Sequence, residues 1–144
     1  MSITNDLLNR LREIHRPPGK TPLALIVEDD PRDAEIAADA LTQAGCRFIV
    51  ADDGDKAVSI ITESMRPDVE SIDIVFLDLK LPSRDGVSVL KWIRDVIPGM
   101  IVILLTHSAY STMIEDAAKL GFVELVEKPF EASCVTEILT KHKL

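Results

Sequence analysis

The strongest constraint on this chain is a rhythm of five short apolar runs, each followed by a stretch with helical spacing. The runs are LALIV from Leu23, CRFIV from Cys46, IDIVFL from Ile72, MIVILL from Met100 and FVELV from Phe122. The third reads as a strand buried on both faces, and five such runs alternating with helices give a parallel sheet covered on both faces. The punctuation between them is consistent. Asp30 is placed to cap a helix with Pro31 at its first position, and Gly45 after Ala44 closes it. A second helix near residues 55–66 stops at Pro67, and Val87, Leu90, Ile93 and Ile97 stripe a third that ends at Pro98 and Gly99. Met113, Ile114, Ala117 and Ala118 mark a fourth helix, closed by Gly121, and residues 131–141 supply the fifth. Strands and helices in alternation, joined by right-handed crossovers, give an α/β fold: a doubly wound five-stranded parallel sheet in a three-layer α/β/α sandwich.

That pattern occupies residues 21–144, a length suited to one domain. Residues 1–20 differ. Ile3, Leu7, Leu8, Leu11 and Ile14 fall at helical spacing, and RPPGKTP then breaks the helix, so an amphipathic helix and a Pro-rich linker are expected. So short a helix is marginal alone, and its stripe over 3–14 is expected to be buried across a homodimer. The formal net charge of −8 weighs against nucleic acid or an anionic membrane surface as partner. The longest apolar run, Met100 to Leu105, is too short to span a bilayer. Cys46 and Cys134 lack metal-ligand spacing and read as reduced packing thiols, and no signal peptide opens the chain; a cytoplasmic location is expected. With nothing after the last helix, a single-domain protein without a DNA-binding output is expected.

The chemistry gathers at the strand ends. Asp78 directly follows the apolar residues of the third run, where a carboxylate could simply open a solvated turn punctuated by Pro82 and Gly86. The other runs argue for more. The first ends in IVEDD, with Glu28, Asp29 and Asp30, the fourth in LLTHS, with Thr106, and the fifth in LVEKP, with Lys128. Ligands in open α/β sheets bind at the carboxyl ends of the strands. If these strands share one edge, carboxylates, a hydroxyl and an ammonium converge there. Clustered carboxylates repel and call for a cation, and oxygen-only ligation suits Mg²⁺, with Mn²⁺ as second candidate. A metal, a donor pair and an exposed carboxylate together describe phosphoryl transfer onto that carboxylate.

The pieces LIVEDD, FLDLKLPSRDG, ILLTHSA and VEKPF, in this order and at these spacings, resemble the receiver domains of two-component response regulators, chemotaxis-type regulators among them. The resemblance covers roughly residues 21–144 and implies the flavodoxin-like receiver fold. It implies that Asp78 accepts the phosphoryl group from a sensor histidine kinase or a histidine phosphotransfer protein, switching interactions with an output protein. It further implies that Asp29 binds Mg²⁺ directly and Glu28 through water, a Glu-Asp version of the commoner acidic pair. Lys80 stands where a backbone carbonyl completes the metal site. Thr106 matches the switch hydroxyl, and Lys128 the lysine that contacts the phosphoryl group, before a Pro129 whose peptide bond is often cis. Such a protein is a signalling phosphoacceptor with autodephosphorylation rather than an enzyme acting on others.

Two positions depart from the family. His107 follows the switch threonine where a small residue is usual, and a steric role at the phosphoryl site is expected of it. Leu125 stands where an aromatic usually lies, which bears on the threonine-to-aromatic relay. Other readings fall away. A haloacid-dehalogenase-type phosphatase needs an acid where Lys80 stands, and no G-x-G-x-x-G follows the first run. DDGD at residues 52–55 reads as a turn and helix cap rather than a calcium loop. His15 and His142 read as solvated helix residues. A degenerate receiver that binds partners without phosphorylation is the rival from another class.

Overall fold

The structure, a computed structural model, describes residues 21–81, 85–107, 112–122 and 124–144. The expected helix over 3–14, its linker, His15 and Pro82 lie outside the described residues. Within them, five strands alternate with five helices. They are β1 (Leu23–Val27), α1 (Pro31–Gln43), β2 (Arg47–Ala51), α2 (Gly54–Ser64) and β3 (Ile74–Asp78). After these come α3 (Gly86–Val96), β4 (Ile101–Thr106), α4 (Thr112–Leu120), β5 (Glu124–Glu127) and α5 (Ala132–Lys141). Every pairing is parallel, and the strand order is β2-β1-β3-β4-β5. The winding direction therefore reverses between β1 and β3, and the strands that end in chemistry lie side by side.

The helix boundaries follow from capping. Asp30 accepts hydrogen bonds from the backbone N–H groups of Arg32 and Asp33 and stands immediately before Pro31. Asp53 and Asp85 cap α2 and α3 in the same way, so the DDGD stretch is a turn and a cap. α1 ends before Gly45, whose φ of 76° lies in the left-handed region that a side chain would strain.

The sheet separates two apolar layers. Leu25, Val27, Val75, Leu77, Val102 and Leu104 face α2, α3 and α4, where Ile61, Leu90 and Ile93 are fully buried. Ala24, Ile26, Ile74, Phe76 and Ile103 face α1 and α5, and Phe76 packs on Phe130 with ring centroids 5.2 Å apart. β1 and β3 are buried throughout, as their sequences require.

Two expectations are corrected. The sheet is not covered throughout: β2 is an edge strand, and Phe48, Ile49 and Val50 keep 36%, 39% and 40% of their surface exposed. His142 is a half-buried C-cap residue whose Nε2 is shut from solvent without a hydrogen-bond partner.

One close approach fixes the exit of β3. Gly86 opens α3 and donates from its backbone N–H to the Leu79 carbonyl at 2.9 Å. A Cβ on Gly86 would lie 2.4 Å from Leu79 Cα and 2.5 Å from the Asp78 carbonyl oxygen. Only glycine lets the helix start press this tightly on the chain that leaves Asp78.

Candidate functional site

The register of the sheet brings the strand ends together. Val27 pairs with Leu77, Asp78 with Leu105 and Thr106 with Glu127, so β1, β3, β4 and β5 terminate on one edge. Glu28 leaves β1 at that level, its backbone N–H held by the Ala51 carbonyl at 3.0 Å. The Lys128 backbone N–H donates to the Thr106 carbonyl at 2.7 Å, which keeps the hydroxyl-bearing and ammonium-bearing residues adjacent. Thr106 is half-buried at the end of β4, and the Lys128–Pro129 peptide bond is cis.

The ammonium of Lys128 is the electrostatic centre. Its side chain is 6% exposed, and Nζ donates to Glu28 Oε2 at 2.5 Å, Asp33 Oδ2 at 3.1 Å and Asp78 Oδ2 at 3.3 Å. Burial alone would push its pKa down, but the bonds and charges of Glu28, Asp78 and Asp33 outweigh this and drive it up. Lys128 is therefore a fixed cation.

The acids divide by environment. Glu28 has a side chain only 1% exposed, and burial is the main cause that raises its carboxyl to about 7. A hydrogen bond and like charge from Asp78 add to the rise, and Lys128 opposes it without cancelling it. Asp78 keeps 12% of its side chain exposed and accepts the Lys80 backbone N–H on Oδ1 at 3.0 Å. Asp29 is exposed. A carboxylate oxygen from each of Glu28, Asp29 and Asp78 lies within 4.8 Å of the others. Such a cluster of hard oxygen donors fits a small divalent cation. Asp29 and Lys80 also share the wall of a cavity of about 430 Å³ with Leu79, Leu81, Asp85 and Met113. Asp30 turns away, since its side chain caps α1.

Glu28, Asp78 and Lys128 thus meet directly, and Asp29, Lys80 and Thr106 sit on the same edge. Asp33 escaped the sequence reading. It lies in the first turn of α1, where an acid is ordinary for a helix N-terminus, and nothing in its spacing marks it. Yet its Oδ2 takes a bond from Lys128 and lies 2.7 Å from His107 Nε2. Burial opposes ionisation of Asp33, but the hydrogen bonds of His107 and Lys128 prevail and hold its carboxyl below the usual range. His107, expected to act sterically at the phosphoryl position, is bound to Asp33 at the rim with 68% of its side chain exposed.

Known proteins are similar to this chain in sequence and fold. The chain is 32% identical over 123 residues to "Transcription factor SKN7" of Chaetomium thermophilum, a match that covers 85% of this chain and 16% of that protein. It is 30% identical to "Chemotaxis protein CheY" of Thermotoga maritima, over 81% of this chain and 93% of that one. The chain spans 16%, 24% and 50% of the length of the fungal factor and of two bacterial regulatory proteins that it matches. A solved receiver domain of sensor histidine kinase PA1611 from Pseudomonas aeruginosa is described with a magnesium ion coordinated in its active-site cleft. It superposes with a TM-score of 0.71 at 25% identity, covering 84% of this chain and 96% of its own. The family model described as the response regulator receiver domain matches residues 24–140. With five parallel strands in this order and the acids, Thr106 and Lys128 gathered at their ends, the chain belongs to the response regulator receiver domains.

Proposed function

We propose that this receiver domain takes a phosphoryl group onto Asp78 from a sensor histidine kinase or a histidine phosphotransfer protein and thereby switches its interactions with an output protein. The observation that carries this reading is the Lys128 ammonium, buried and shared between Asp78 and Glu28 at the mouth of the sheet. An Asp78 oxygen attacks phosphorus, the bond from phosphorus to the donor nitrogen breaks, and the departing imidazole keeps that electron pair. Lys128 offers N–H donors to the phosphoryl oxygens as their charge builds, and Thr106 stands beside it with a hydroxyl. The Lys80 backbone N–H holds the other Asp78 oxygen in place, so the nucleophile is aimed before the donor arrives. Mg²⁺ held by Asp78, Asp29 and Glu28 would neutralise charge on the transferred group, with the Lys80 carbonyl as a further ligand. Later attack of water on phosphorus releases the Asp78 carboxylate and phosphate, so the signal decays.

The test is intact mass after treatment with acetyl phosphate and Mg²⁺. We expect one labile phosphoryl adduct, lost in Asp78→Asn and suppressed by EDTA. An adduct that survives the substitution or ignores the chelator overturns the mechanism. A wild type that takes no label is the outcome of the rival reading, a receiver that binds its partners without phosphorylation.

A further inference from the structure

The Lys128 ammonium carries three protons, and three carboxylates take them: Glu28 at 2.5 Å, Asp33 at 3.1 Å and Asp78 at 3.3 Å. Two of these acids belong to the oxygen cluster that fits a cation. Asp33 does not. A phosphoryl group on Asp78 brings three strong acceptor oxygens to the same ammonium, so one existing contact must give way. The Asp78 contact passes to the group that Asp78 now carries. The Glu28 contact is the shortest and the most deeply enclosed, with a side chain 1% exposed. Asp33 is the contact that can yield. Its side chain is 17% exposed, and the same oxygen that meets Lys128 already lies 2.7 Å from His107 Nε2.

We propose that Asp33 is a positioning residue that occupies Lys128 in the unphosphorylated site and surrenders it, with His107 as its remaining partner, when Asp78 is phosphorylated. This deepens the phosphoacceptor reading and rests on it. Asp33 is rigidly placed for the task, since its backbone N–H is held by Asp30 Oδ1 at 3.1 Å in the first turn of α1. It competes with the incoming group in two ways. It ties up a donor that the phosphoryl oxygens need, and its negative charge stands on the path of an anionic donor. Asp33 thus sets how readily the site charges, while the acceptor and the cation cluster stay as they are.

The experiment follows the rate of the mass adduct with acetyl phosphate and Mg²⁺ at low ionic strength, for wild type, Asp33→Asn and Asp33→Glu. Asp33→Asn removes the charge in the same shape and is expected to label about three- to tenfold faster, an advantage that shrinks as salt rises. Asp33→Glu keeps the charge and stays within about twofold of wild type, a restoration that a merely structural contact would not produce. Asp33→Ser, a residue at home in a first helical turn, gives the same sign as asparagine and preserves the test if that variant fails to fold. A wild type that labels while Asp33→Asn and Asp33→Ser are no faster overturns the role of Asp33 and leaves the phosphoacceptor reading standing. A wild type and variants that all fail to label overturn that reading and this inference with it.

Discussion

At the scale of residues, the site is an exercise in enclosing one cation among more acids than it can satisfy. Glu28 bears most of the strain, because its carboxyl is raised to about 7 from an ordinary 4.5. Between those values the folded, metal-free protein holds a proton that the unfolded chain has lost. Stability from this group is complete below about pH 4.5 and is lost as pH rises through about 7, by at most about 3 kcal/mol. Urea unfolding in EDTA at pH 4.5 and 7.5 will show this as a fall that is smaller in Glu28→Gln, with added Mg²⁺ restoring wild-type stability at the higher pH. Equal falls in both proteins would remove Glu28 as the cause. The sequence made Glu28, Asp78 and Lys128 legible because each directly follows or ends an apolar strand, and strand ends in a parallel sheet must meet. Asp33 was not legible. A first-turn acid has a sufficient explanation in the helix dipole, and only the depth of Lys128 beneath α1 gives it another. His107 was marked as unusual from sequence, but its partner lies across the mouth of the site and 74 residues away in the chain.

Elements were legible in proportion to their burial. β1 and β3 lie in the sheet's interior with every residue buried, and their unbroken apolar runs announced them. β2 carries the apolar residues Phe48, Ile49 and Val50 after Arg47 and lies at an edge, because composition records only that a strand is apolar and not which neighbours it finds. The contact of α3 with the β3 exit was hidden altogether, since a glycine after an aspartate reads first as a turn. Gly86→Ala places a methyl 2.4–2.5 Å from the backbone of Leu79 and Asp78, so helix and loop must separate. We expect a loss of about 1–3 kcal/mol in urea unfolding. We also expect weaker Mg²⁺ binding by calorimetry, because the displaced segment carries Asp78 and Lys80. Wild-type stability and metal affinity in that variant would mean that the approach is looser than drawn.

At the scale of the whole molecule, the shared chemistry of the strand ends implied that β1, β3, β4 and β5 lie together, and the structure places them contiguously in the order β2-β1-β3-β4-β5. What lay beyond reach was the pairing of this domain with anything else. The spacing of Ile3, Leu7, Leu8, Leu11 and Ile14 predicts an apolar stripe too large to leave in water, and we expect it to join two copies of the chain. Sedimentation of the full chain and of a chain beginning at Thr21 tests this: a dimer is expected for the first and a monomer for the second, and two monomers refute it. The sheet itself carries a consequence for slow motions. Glu28, Asp29 and Asp78 hang from β1 and β3, interior strands buried at every residue, whose amides are expected to exchange with solvent only in the rarest openings. Lys128 hangs from β5, a four-residue, half-buried strand at the opposite edge. A local opening of that edge would withdraw the ammonium while the acids stay in place, so we expect each opening to leave the acid cluster without its counter-charge.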